Sequence, residues 1–238
     1  MNVLFLSRAR LRRDAPVAAL ARLLVPENAA ARVAASHHLV WSLFADGPDR
    51  RRDFLWREEK PGRFLTLSTR PPTDPHGLFD LEEPKPFEPN LAPGDRLGFT
   101  LRANPVVSRP AAPGTRGKRH DVVMDTLREV PAGKRAERRP DAIVEAGSAW
   151  LARQGNAHGF TPDGALNVDG YETVRLAREK DHRGEKPPEP IRFGMLDISG
   201  VLTLRDPERF LAALAAGFGR SRAFGCGLML IRRAPRPL

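Results

Sequence analysis

The stretch Asp206-Pro-Glu-Arg-Phe-Leu-Ala-Ala-Leu-Ala-Ala-Gly217-Phe-Gly-Arg-Ser-Arg-Ala-Phe-Gly-Cys-Gly227-Leu-Met-Leu-Ile-Arg-Arg233 holds helix signals, a glycine loop and a strand, in that order. Asp206 offers an N-cap oxygen, Pro207 suits the first helical position, and Glu208 sits where the helix dipole favours a carboxylate. Phe210, Leu211 and Leu214 make one side apolar, and Gly217 can end the helix in the left-handed conformation. Leu228 to Ile231 reads as a short buried strand. Dinucleotide-binding folds and P-loops run the other way, from strand through glycine loop to helix, so that phosphate meets a helix N-terminus. Here an anion would have to be held by Arg220, Arg222 and the N–H groups that glycines leave uncovered. Two readings stay open: a seat for a polyanion backbone, or a tight turn with two solvated arginines.

Charge favours the first. The net charge is +10, and six lysines stand against 33 arginines. The excess is concentrated: residues 109–139 hold nine basic and four acidic side chains, and residues 190–238 hold eight and three. Clustered arginine is the footprint of a nucleic-acid binder, because the guanidinium fork matches phosphate. Aromatic residues make up only 7% with one Tyr, which argues against a stacking platform for single-stranded bases and for a structured stem. The single cysteine, Cys226, excludes an internal disulfide, and no Cys or His pair has zinc spacing, so no metal and no cofactor are expected. No apolar run approaches a membrane span, and Val3 to Leu6 is too short for a signal segment, so a cytoplasmic protein is expected.

Outward from the glycine loop, Asn2 to Leu11 reads as a strand. A helix follows Pro26-Glu-Asn, with Val33, His37, Val40, Trp41 and Phe44 along its apolar stripe. Phe54-Leu-Trp56 and Phe64 to Leu67 read as strands joined by the Lys60-Pro-Gly62 turn. Proline-rich residues 71–93 read as a linker or crossing loop. Arg96 to Ala103 alternates as a strand, the basic stretch to Pro140 is expected to order on binding, and Asp141 to Gln154 reads as a second helix closed by Gly155. Residues 160–170 read as turns. Tyr171 to Arg178 and Ile191 to Leu204 read as strands around a cationic hairpin tip bearing Arg175, Arg178, Lys180 and Arg183. The pattern predicts an α+β chain of two tandem ferredoxin-like, RRM-like domains with antiparallel sheets, at 1–87 and 95–238.

Several motifs then coincide in order: His37-His-Leu-Val-Trp-Ser-Leu-Phe44, Arg52-Asp-Phe-Leu-Trp-Arg57, Leu101-Arg-Ala-Asn-Pro105, Gly117-Lys-Arg119, Trp150-Leu-Ala-Arg-Gln-Gly155, and the closing glycine loop. Together they resemble the CasE family, the CRISPR repeat endoribonucleases of subtype I-E, along nearly the whole chain. The resemblance implies recognition of a CRISPR repeat RNA stem-loop, metal-independent cleavage at the base of its stem, and retention of the product within the Cascade complex with its other subunits. It also implies that His37, marked by Trp41, is the catalytic histidine. Many members carry a tyrosine three positions earlier, where this chain has Ala34; Ser36, Tyr171 or an arginine would position the phosphate, or nothing replaces it.

RNA supplies its own nucleophile, the 2′-hydroxyl, so cleavage needs proton transfer and charge stabilisation rather than a metal. His37 is the candidate, as general base or general acid. Arg175, Arg178, Lys180 and Arg183 are expected along the stem, and Arg220 and Arg222 near the scissile end. A non-catalytic RNA-binding module with a structural His37 is the alternative. A phosphotransferase ranks below both, because the loop polarity is reversed and no Gly-Lys-Ser/Thr follows.

Overall fold

The computed structural model describes residues 3–14, 17, 19–47, 51–110, 115, 117–177 and 189–235. Among these the chain runs β1 (Phe5–Leu11), α1 (Ala21–Leu24), α2 (Ala29–Ser42), β2 (Phe54–Lys60), β3 (Arg63–Ser68), β4 (Phe79–Leu81), β5 (Lys85–Pro86), β6 (Arg96–Ala103), β7 (Val106–Arg109), β8 (Lys118–Asp121), α3 (Val122–Thr126), α4 (Arg135–His158), β9 (Phe160–Leu176), β10 (Ile191–Leu204), α5 (Pro207–Ala216) and β11 (Met229–Arg233). It is an α+β protein. The described residues of Met1–Pro89, Val174–Arg192 and Arg222–Leu228 form one compact unit, and those of Asn90–Thr173, Phe193–Ser221 and Met229–Leu238 a second.

In the first unit the strand order is β2-β3-β1-β4, with β5 also on β1. Read from β4 this is the four-one-three-two order of a ferredoxin-like sheet, and all its recorded pairings are antiparallel. Residues 69–78, where that fold would place a second helix, contain none. The proline-rich stretch is therefore more than a linker: Phe79–Leu81 and Lys85–Pro86 lengthen the sheet at β1. Pro86 at the edge is tolerated because an edge strand can spare a donor. Asn28 caps α2 by accepting from Ala31 N at 3.0 Å. The helix buries Leu39 and Val40 with Leu43 and Phe44 just beyond it, against Ala9, Leu11, Phe54, Trp56 and Phe64 of the sheet. Phe44 and Phe54 stack at 4.2 Å between ring centroids, a geometry that adds about 0.5–1.5 kcal/mol to the burial itself.

The second unit repeats the order, β11-β6-β10-β9. Leu97, Phe99, Leu101 and Ala103 of β6 face Leu196, Ile198, Leu202 and Leu204 of β10 within the core, under Trp150 and Leu151 of α4 and Phe210 and Leu214 of α5. Asp206 accepts from Arg209 N at 3.0 Å, as the opening stretch predicts, and Gly217 closes α5 at φ 82° and ψ 145°, a positive-φ conformation suited to glycine but not the left-handed helical one expected. Three expectations change. Residues 160–170 belong to a strand, β9, rather than to turns. The basic stretch forms the β7–β8 ribbon and α3, and α4 begins at Arg135, ahead of Pro140, which lies inside the helix past its first turn and so leaves the carbonyl of Ala136 without its i→i−4 donor. Gly155 lies inside α4, packed where a Cβ would meet Phe160 O at 2.5 Å, and the left-handed residue that ends the helix is Gly159.

Candidate active site

His37 lies one turn before Trp41 on α2, half-buried, with Trp41 edge-on at 6.1 Å and Phe224 tilted at 5.3 Å. Its Nδ1 is 2.8 Å from the carbonyl oxygen of Ala223. A carbonyl can only accept, so Nδ1 carries the hydrogen, and the lone pair of the neutral ring resides on Nε2. The ring is thereby fixed in one tautomer.

The oxygen that fixes it comes from the glycine loop. Arg222–Phe224 forms a single 3₁₀ turn, and Gly225 follows at φ 79°. Ala223 O also accepts from Trp56 Nε1 at 3.2 Å, so one carbonyl serves an imidazole and an indole. Trp56 is 2% exposed, on β2, and closes on the loop from beneath. A Cβ at Gly225 would stand 3.1 Å from the Trp56 ring, so both backbone conformation and space require glycine there. The loop is thus a tight turn with a specific task, aiming His37.

Burial pushes the His37 pKa below its ordinary value of 6.5; the bond to Ala223 opposes this, while the charges of His38 and Arg52 add to it. Arg52, half-buried two residues ahead of Phe54, is itself lowered by burial and then by the neighbouring charge of Arg222. Asp53, next to Arg52 in sequence, is held by Arg70 at 3.0 Å. The surroundings of His37 are therefore basic and favour its neutral form.

Of the residues expected to bind RNA, Arg222 adjoins the His37 anchor within the first unit. Arg220 is exposed, and its N–H donates to Asn104 O at 3.1 Å in the second unit. Arg175 is exposed near the end of β9. Arg178, Lys180 and Arg183 lie outside the described residues. Ser36 is buried with its hydroxyl toward Glu58 Oε1 at 3.5 Å, and Tyr171 donates to Asp121 Oδ1 at 3.2 Å in the second unit. Ala34 has no polar side-chain atom. Sequence reading missed Arg52, Trp56 and Ala223 as site residues; the first two lie in the quoted Arg52–Arg57 motif, whereas an alanine contributing only its carbonyl has no sequence signal. Among the described residues no three His, Cys, Asp or Glu side chains group as metal ligands, and no helix is long and apolar enough to cross a membrane.

Comparison with known proteins gives a consistent picture. The CRISPR-associated endoribonuclease Cse3 of Thermus thermophilus is 34% identical over 197 residues, spanning 76% of this chain and 80% of that one. The Cascade subunit CasE of Escherichia coli is 25% identical over 199 residues, spanning 81% and 88%. A solved structure of a CRISPR endoribonuclease Cse3 bound to a 19-nucleotide RNA superimposes with a TM-score of 0.64 over 98% of this chain and all of that one; at 24% identity it speaks for the fold. A family profile described as CRISPR associated protein matches residues 4–233. With a match along almost its full length, the chain belongs to this family of CRISPR-associated proteins.

Proposed function

We propose that the protein is an endoribonuclease that cleaves precursor CRISPR RNA at the base of the repeat stem-loop without a metal ion. The observation that carries this reading is the 2.8 Å contact between His37 Nδ1 and Ala223 O, which leaves Nε2 as the ring's basic atom. In the proposed step Nε2 takes the proton of the 2′-hydroxyl, and that oxygen forms a bond to the adjacent phosphorus. The P–O5′ bond breaks, and the 5′-oxygen takes a proton from the imidazolium or from water. The products are a 2′,3′-cyclic phosphate and a 5′-hydroxyl. A depressed His37 pKa serves this role, because the base form stays populated on the acid side of neutrality.

The relatives' names support the substrate class: one is called a CRISPR-associated endoribonuclease and another a Cascade subunit. We take the product to stay bound and to enter Cascade with its other subunits, and the work to be done in the cytoplasm, where transcripts are made. Arg175, Arg178, Lys180 and Arg183 would follow the stem phosphates, with Arg220 and Arg222 toward the cleaved end.

Repeat RNA incubated with protein and EDTA tests the reading: the expected product ends in a 2′,3′-cyclic phosphate. His37→Ala should still bind but cleave at least about 10²-fold more slowly, the range assigned to general acid–base catalysis. Wild-type speed in that variant would remove His37 from the mechanism. Binding without cleavage by the wild type would favour the RNA-binding module.

A further inference from the structure

We infer that Arg52 and Arg222 grip the scissile phosphate and hold the negative charge that develops on its non-bridging oxygens. The inference rests on the nuclease reading above and names the groups that supply its charge stabilisation. Four observations support it. Arg222 immediately precedes Ala223, so its backbone is fixed by the same carbonyl that aims His37. Arg52 leads into Phe54, whose ring meets Trp41 edge-on at 5.2 Å, and Trp41 in turn meets His37. The adjacent carboxylate of Asp53 is already engaged by Arg70. Finally, the charge of Arg222 weighs on Arg52, and the charge of Arg52 in turn weighs on His37.

Half-buried like charges repel, and the repulsion is relieved when an anion enters between them. A phosphodiester fits this description. Two guanidinium forks can each donate to its non-bridging oxygens, and donors held in place before reaction stabilise the phosphorane more than they stabilise the ground state. Ala34, one turn before His37, brings no side-chain donor, and Arg52 and Arg222 stand on the approach to β2 and in the loop that aims His37.

The test compares single-turnover cleavage of repeat RNA by the wild type, Arg52→Met, Arg52→Lys and Arg222→Met. Affinity is measured in parallel on RNA carrying a 2′-deoxy nucleotide at the cleavage position. Each Met variant should slow cleavage by about 10²-fold, the loss typical of removing one such donor, while affinity for the uncleavable RNA changes by less than about tenfold. Arg52→Lys should recover part of the rate. The acid limb of the Arg52→Met profile should move to higher pH, because His37, which also feels His38 from its own helix, loses a positive neighbour. A purely structural role would not move that limb. Arg52→Met cleaving within about threefold of wild type with an unmoved limb, beside an inactive His37→Ala, would overturn the cation grip and leave the nuclease reading intact. If Arg52→Met fails to fold by circular dichroism, Arg52→Lys and Arg222→Met decide: slowed cleavage supports the grip, and wild-type rates in both overturn it. A wild type that binds but does not cleave would bring down both readings.

Discussion

Two donors share the Ala223 carbonyl, so each hydrogen bond tempers the other. Trp56→Phe keeps an aromatic ring but deletes the indole N–H, and the oxygen should then favour the protonated imidazole more strongly. A net hydrogen bond is worth about 0.5–1.5 kcal/mol and one pKa unit about 1.4 kcal/mol, so the His37 pKa should rise by about half a unit in an NMR titration. An unmoved His37 signal would show that Trp56 only fills space. The wild-type shift also has a consequence for stability. Because the folded state prefers neutral His37, the unfolded chain takes up its proton first as pH drops below 6.5, and the stability present at neutral pH is lost as pH falls through the folded value. At this scale the sequence was readable only in part. His37 stands out because it interrupts an apolar stripe beside Trp41, whereas Arg52, though it opens the quoted Arg52–Arg57 motif, carries no sign in the sequence that it lies near His37.

At the scale of elements, the helix, loop and strand order of residues 206–233 was legible because each signal is local: a capping aspartate, a proline, spaced apolar residues, glycines. Local signals also explain the errors. Gly155 resembles a helix terminus but is small because Phe160 crowds it, and residues 160–170 contain a proline and two glycines yet pair as part of β9 because tertiary pairing outweighs turn propensity. The task of the glycine loop depends on contacts with β2 and α2, far away in sequence, which propensity cannot report. Gly225→Ala should therefore act twice. A Cβ at φ 79° against the Trp56 ring should cost about 1–2 kcal/mol in urea unfolding. Displacement of the Ala223 carbonyl should also slow cleavage by about tenfold or more, since a misplacement of about 1 Å can cost about 10²-fold. Unchanged cleavage together with lowered stability would separate the loop from the chemistry.

Over the whole molecule, charge and topology were both legible. Periodicity alone suggested two ferredoxin-like sheets, and the four-one-three-two order recurs in each. The clustered arginines predict RNA affinity that falls steeply with salt. Arg175→Ala should weaken repeat binding and lower the slope of log affinity against log salt by about 0.7–0.9 for one lost phosphate contact; an identical slope would mean that Arg175 does not touch phosphate. The membership of residues 222–228 in the first compact unit was not legible, because no composition or spacing ties them to residues 1–89. Their return across the chain has a temporal consequence. Ala223 is synthesised 186 positions after His37, and a ribosome adding roughly 5–20 residues per second needs roughly 10–40 s to bridge that gap. For that interval a nascent polypeptide carries the imidazole without the oxygen that steers it, and a product of premature termination before residue 223 never acquires it.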